Sequence, residues 1–299
     1  MPKILIGISS WADAELIASG FYPPQLKTPA ERLRYYAANF PIAEVDSSYH
    51  FLPTGRNLAV WIESTPPGFL FEVKAFSLLT HHPTRLSSLP RDLRDKAAGA
   101  LNKEGHLYLN NLPAEITGAI WERFANSIRP LALSGKLGPV TFQFPPWFHP
   151  GPDNREYIAH LQEKLPQYRL AIEFRAGSWL NDQHRSQTLE ILREYGLALV
   201  CVDEPQGLKS SVPPLAELTS SFGIVRFHGR NRETWEQKNV RVSQKYNYLY
   251  SLEELKEWAP KIQQMAASAE QIYVIFKNKH GDFPATNARQ MMALLETAL

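Results

Sequence analysis

The sequence predicts a single (β/α)8 TIM-type barrel. Three observations carry that expectation. Eight short, nearly continuous apolar runs recur along the chain, helical patterns fall between them, and no Gly-rich turn follows the first run. Continuous apolar runs mark parallel strands covered on both faces, and their alternation with helices marks repeated βα units. The runner-up, a doubly wound open sheet, usually carries a Gly-rich phosphate turn after its first strand, which Gly7-Ile8-Ser9-Ser10-Trp11 is not.

In chain order the strand runs are 4–9, 42–47, 69–75, 140–144, 170–174, 197–202, 224–227 and 272–276. Helix starts are signed by capping residues. Thr28-Pro29-Ala30-Glu31 combines an N-cap threonine, a proline at the first helical position and a glutamate three residues after the cap. Asp153-Asn154-Arg155-Glu156 resembles a capping box with aspartate at the cap. Ser251-Leu252-Glu253-Glu254 is a full one, followed by apolar Leu252, Leu255, Trp258, Ile262 and Met265 at helical spacing. Further helices are expected over 57–64, 116–133, 183–195 and 288–299. Between the sixth and seventh strands Pro213-Pro214 leaves only 215–219 for a helix. Two connections, 80–115 and 229–250, exceed ordinary turns. Both leave C-terminal strand ends, where a barrel builds its active site, so both read as lids.

Composition narrows the field. The chain has 299 residues, 44% hydrophobic and 21% charged, with mean hydropathy −0.30. These values exclude disordered, coiled-coil and collagen-like classes. With no repeat, low-complexity tract or linker, one domain over 1–299 is preferred to two. The single cysteine, Cys201, forms no internal disulfide and reads as an inert core thiol, which points to a reducing, cytoplasmic setting. No run approaches the roughly 20 apolar residues of a membrane helix, and the opening run is too short for a secretory signal. A net charge of +2 permits an anionic ligand without arguing for nucleic-acid coating.

The strand runs contain charges where core strands should be apolar. Period-two alternation sets Glu173 and Arg175 opposite Ile172 and Phe174, and Arg226 and His228 opposite Val225 and Phe227. Glu44, Asp46 and Ser48 share one parity, as do Glu72 and Lys74; Thr141 and Gln143 oppose Phe142 and Phe144, and Asp203 ends the sixth run. With apolar faces against helices, the polar faces point into the barrel near its mouth. Buried ions cost several kcal/mol each unless paired. The sequence supplies both signs: Glu44, Asp46, Glu173 and Asp203 against Lys74, Arg175, Arg226 and Lys277. A self-neutralising network is the alternative to a ligand site.

These residues resemble the YecE-like family, called domain of unknown function 72. The matching segments include Ile6 to Trp11, Phe21-Tyr22-Pro23-Pro24, Glu44 to Tyr49, Thr65 to Phe69, Val73-Lys74-Ala75, Thr80-His81, Phe142 to Pro146, Glu173-Phe174-Arg175, Arg226 to Arg230, and Phe276 through Asn287. The resemblance implies a β/α barrel and carries no established reaction. Ser10 stands where the family usually has glycine, and Lys277 where it usually has asparagine, which adds a cation to the mouth.

The preferred expectation is a pocket for a phosphorylated or other anionic compound, serving a hydrolase or isomerase. Lys74, Arg175, Arg226 and Arg230 have the chemistry to hold phosphate or carboxylate, with Lys277 and Asn278 joining the binding set. His228 is the expected acid or base, oriented by Glu173 or Asp203, with Glu44, Asp46 and Lys74 completing the catalytic set. Trp11 and Tyr49 are expected to stack on a sugar or base and Gln143 to hydrogen-bond it. Of His81-His82, His81 is expected to face the mouth. A divalent metal on Glu173, Asp203, Glu44 or Asp46 and His228 is not favoured, because Lys74, Arg175 and Arg226 repel a cation. Two alternatives stand. One is a nucleic-acid binder or abasic-endonuclease-like phosphodiesterase, resting on Arg232, Lys238, Arg241 and Lys245 interleaved with aromatics. The other is a non-catalytic metabolite-binding protein. The sequence leaves the oligomeric state open.

Overall fold

The computed structural model describes residues 3–208, 210–237 and 239–296. Eight strands, β1 (Ile4–Ile8), β2 (Ile42–Val45), β3 (Leu70–Lys74), β4 (Leu137–Gln143), β5 (Leu170–Glu173), β6 (Ala198–Asp203), β7 (Phe222–Phe227) and β8 (Gln271–Phe276), close into a barrel in sequential order. Every neighbouring pair is parallel, and β1 pairs with β8 as well as β2. The open-sheet alternative is thereby overturned. No helix among the described residues is long and apolar enough to cross a membrane.

Residues paired across a parallel ladder share a face, so the register decides what points inward. Glu44 pairs with Glu72, Lys74 with Thr141, Gln143 with Glu173, and Val202 with Arg226. All lie on the inner face. The outer face is apolar: Phe142 stacks on Trp121 of the helix Ala114–Leu133, and Phe227 stacks on Phe276 beneath Trp258.

Gly7, within one of the family-like segments, owes its identity to this closure. A Cβ there would lie 2.0 Å from the Ile42 carbonyl oxygen, so only glycine lets β1 and β2 approach.

The caps at Thr28 and Ser251 form complete capping boxes, starting helices Pro29–Ala37 and Leu252–Ser268. The box expected at Asp153 does not form. Pro152 occupies the first turn, the helix Pro152–Ala159 is preceded by Gly151, and Asp153 lies inside it. Thr54 is an unforeseen cap, which extends the third helix forward to Gly55–Glu63. The last helix runs Phe283–Glu296, five residues earlier than expected, and 297–299 lie outside the described residues. No helix forms over 215–219, as the double proline foreshadows. The long connection after β3 folds into a two-stranded ribbon (Thr84–Arg85 with His106–Leu107) and a helix, Arg91–Ala97.

Candidate active site

The inward charges form two layers. In the lower one, Arg226 is fully buried and its guanidinium meets Glu44, Glu72 and Glu173, the last at 2.5 Å. Three carboxylates face one cation, with the Thr141 hydroxyl donating to Glu72 at 2.5 Å. Burial raises the Glu72 carboxyl above its ordinary range and Arg226 only partly offsets it. For Glu173 burial acts in the same sense and is the largest single influence, but Arg226, His228 and Arg175 together outweigh it and hold the carboxyl well below that range. Arg226 was expected to hold the ligand anion. Its two terminal nitrogens are spent on glutamates, its Nε has no hydrogen-bond partner and its side chain has no exposed surface, so it is the keystone of the barrel floor. Glu44 lies in this floor as well.

The upper layer reverses the sign. Asp46, its side chain 30% exposed, meets Lys279 at 2.9 Å, Lys74 at 3.3 Å and Lys277 at 3.6 Å. Burial works to raise the Asp46 carboxyl, and the three ammonium groups outweigh it, holding it well below the ordinary range. Lys277 also reaches Glu44 at 3.4 Å. Burial, then the nearby Lys277 charge, brings Lys74 down to about 8. Lys74 donates to Gln143 at 3.2 Å and lies over the Tyr49 ring at 4.7 Å. The mouth therefore brings together Asp46, Tyr49, Lys74, Gln143 and Lys277, all expected there, with Lys279, which was not.

Beside this layer, His228 Nε2 lies 3.1 Å from Glu173 Oε1. Burial lowers the imidazole to about 3 against the opposing pull of Glu173, so it is neutral near pH 7. An ionised Glu173 only accepts, so His228 donates through Nε2 and leaves the Nδ1 lone pair free; that buried atom has no hydrogen-bond partner. Arg175 links Glu173 at 3.2 Å to Glu204 at 3.4 Å. The connection after β7 covers this group. Trp235 lies under the Arg175 guanidinium at 4.8 Å, and the Tyr246 hydroxyl accepts from Arg175 at 3.4 Å. Both rings approach the imidazole, centroids about 6 Å away.

The cover begins at Gly229, whose φ is +88° and whose added Cβ would fall 2.7 Å from the Tyr248 Cβ. Gly229→Ala should cost at least about 1–2 kcal/mol, read as a lower urea midpoint at constant slope. An unshifted midpoint would show that the turn is not constrained as described.

Five expected members of the site lie elsewhere. Asp203 pairs with Phe227, an outward residue, and points into the helix layer. There it accepts from Trp258 at 2.6 Å, Tyr250 at 2.7 Å and Arg230 at 2.8 Å. Arg230 is held in this outer cluster by Glu257 and Glu254 as well. It borders an outer cavity of about 350 Å³ with Glu204, Pro214 and Arg232, on the side where the β6–β7 connection lacks a helix. Asn278 donates to Tyr248 O and Asn287 Oδ1, pinning the end of the cover to the last helix. Trp11 is buried edge-on against Trp61 and Phe71. The histidine choice reverses: His81 adopts a left-handed conformation (φ 59°) that turns its ring into Phe144, Phe148 and Tyr157, while His82 faces Tyr49.

Of the loop cations expected to contact nucleic acid, Lys245 lies 5.3 Å from the Trp235 ring, Arg232 and Arg241 are exposed, and Lys238 lies outside the described residues. Cys201 is buried on the outer face of β6, its thiol pushed up to about 12 by burial. Among the described residues no group of three or more histidines, cysteines, aspartates and glutamates is placed to hold a metal. Where three glutamates converge, a guanidinium occupies the centre.

Fold and mouth define a β/α barrel with ionisable side chains gathered at the C-terminal strand ends, the end at which barrel enzymes carry their active sites. The chain belongs to the DUF72 family: the family described as protein of unknown function DUF72 matches residues 5–299. It is 31% identical over 298 residues to the UPF0759 protein YunF of Bacillus subtilis, covering 98% of this chain and 95% of that protein. A crystal structure of a DUF72 family protein from Thermotoga maritima is similar at TM-score 0.77 and 31% identity, covering 99% of this chain and all of the other. One from Enterococcus faecalis gives TM-score 0.78 at 25% identity, over 98% and 95% of the two chains.

Proposed function

We propose that the mouth binds a small phosphorylated or otherwise anionic compound and that the Glu173–His228 pair supplies its acid–base chemistry. The observation that carries this reading is the upper layer, where three lysines share the half-exposed carboxylate of Asp46. An anion entering beside Asp46 completes ammonium groups that one carboxylate serves incompletely, and charge-assisted hydrogen bonds are the strong ones. Its negative charge also favours the imidazolium, lifting the His228 pKa from its low value toward neutrality. The free Nδ1 is then the atom that takes or gives the proton, with Glu173 holding the ring. The cover bearing Trp235 and Tyr246 moves aside for entry and excludes water on closing.

Titration calorimetry with inorganic phosphate tests the reading. The protein should show saturable binding that Lys277→Met and Lys279→Met each weaken about 10- to 100-fold, the worth of one hydrogen bond to a charged partner. Affinity should also fall as pH rises past about 8, where Lys74 loses its proton. Absence of saturable binding to wild type, or lysine variants that bind equally well, would overturn the proposal.

A further inference from the structure

We infer that the bound anion carries a flat aromatic group next to its charged end, as an aryl phosphate or nucleoside monophosphate does. The inference rests on the anion-binding reading of the same mouth and adds the class of the ligand's other half. Its basis is a row of rings that starts at the lysines and runs outward. Lys74 lies 4.7 Å over Tyr49; Tyr49 meets His82 edge-on at 5.2 Å; His82 meets Trp147 edge-on at 5.8 Å. The row ends in solvent, with Trp147 55% exposed. Trp147 stands on a stiff turn. Pro145-Pro146 restrict the backbone before it, and Phe144 and Phe148 on either side stack on one another at 4.1 Å. Phe144 and Phe148 are turned into the core while the Trp147 ring is left out, at the far end of the row from the lysines, on the face where a ligand would protrude.

His82 belongs to the apolar wall rather than to the cations. Its Nδ1 lies 2.9 Å from the Thr80 hydroxyl, and burial, aided by the Lys74 charge, lowers its pKa to about 3, so the ring is neutral. A simple inorganic anion would use the lysines and leave this wall uncovered. A ligand with a π-face next to its phosphate uses both, because a ring gains stacking and edge contacts that a methyl or hydroxyl group does not.

Matched pairs of probes test it by calorimetry: methyl against phenyl phosphate, and ribose 5-phosphate against adenosine 5′-monophosphate. The ring-bearing member of each pair should bind about tenfold tighter, and Trp147→Ala should erase that increment. The ring's exposure makes this a variant expected to fold, which circular dichroism checks. If methyl and phenyl phosphate bind equally, or the increment survives Trp147→Ala, the inference is overturned while the anion reading stands. If ribose 5-phosphate gains as much over methyl phosphate as adenosine 5′-monophosphate does, the wall recognises a sugar and the inference is likewise overturned. If no phosphate binds at all, the anion reading fails and takes this inference with it.

Discussion

Replacing Arg226 by Met should destabilise the protein by about 3–5 kcal/mol, the range found when one partner of a buried ion set is removed. The guanidinium is fully buried between Glu44, Glu72 and Glu173, and removing it leaves three carboxylates together in a low-dielectric space. Urea denaturation near pH 7 measures the loss. It should shrink as the pH falls toward about 4, where glutamates take up protons and cease to repel. Adding Glu72→Gln to Arg226→Met should recover part of the stability, and this pair keeps the test usable if the single variant does not fold. A loss below about 1 kcal/mol, as for an exposed ion pair, would show that the carboxylates do not depend on this cation.

The second large effect belongs to Glu204. Its side chain is buried, accepts from Val212 N at 2.8 Å and meets Arg175 at 3.4 Å. Burial pushes its pKa up to about 7, with Arg175 only partly opposing and Glu173 and Asp203 adding to the rise. The folded pKa lies above the ordinary value of 4.5, so the folded state binds the proton more tightly than the unfolded chain. Its contribution is fully present below about 4.5, is lost as the pH rises through about 7, and is constant above that. Glu204→Gln imitates the protonated form. The variant should match wild type near pH 4 and exceed it by up to about 3 kcal/mol at pH 8, from 1.36 kcal/mol per pKa unit. Reporting the difference between the two proteins removes the background from Asp46 and Glu173, whose depressed values act in the opposite sense. Parallel stability curves across this range would contradict the buried, proton-binding state.

Much of the mouth was legible because strand parity is a short-range signal. Where one face of a strand is polar and the other apolar, the residue type announces the direction. On that basis Glu44, Lys74, Gln143, Glu173 and Arg226 point inward, as the register confirms, and His228 follows them, its ring meeting Glu173. The signal fails on β6, whose residues are apolar on both faces until it ends in Asp203, with Glu204 following. Composition does not say which of these adjacent acids turns in; the pairing of Asp203 with Phe227 does. It fails again at His81-His82, where a single left-handed residue reverses the order that an extended segment would produce. Lys279 and Trp147 lie beyond strand ends, where no periodicity reaches them.

The sequence by itself determined the barrel, the order of its strands, most of its helices and the sign of the charges carried inward, because hydrophobic periodicity and capping act over a few residues. Only the tertiary structure decided which charges consume one another and which keep a face toward solvent. Arg226 and Lys277 both look like cations awaiting an anion in the chain. One is enclosed by three glutamates, while the other shares a half-exposed aspartate with two further lysines. That difference depends on distances between residues as far apart in the chain as Asp46 and Lys279, which are set when the barrel closes.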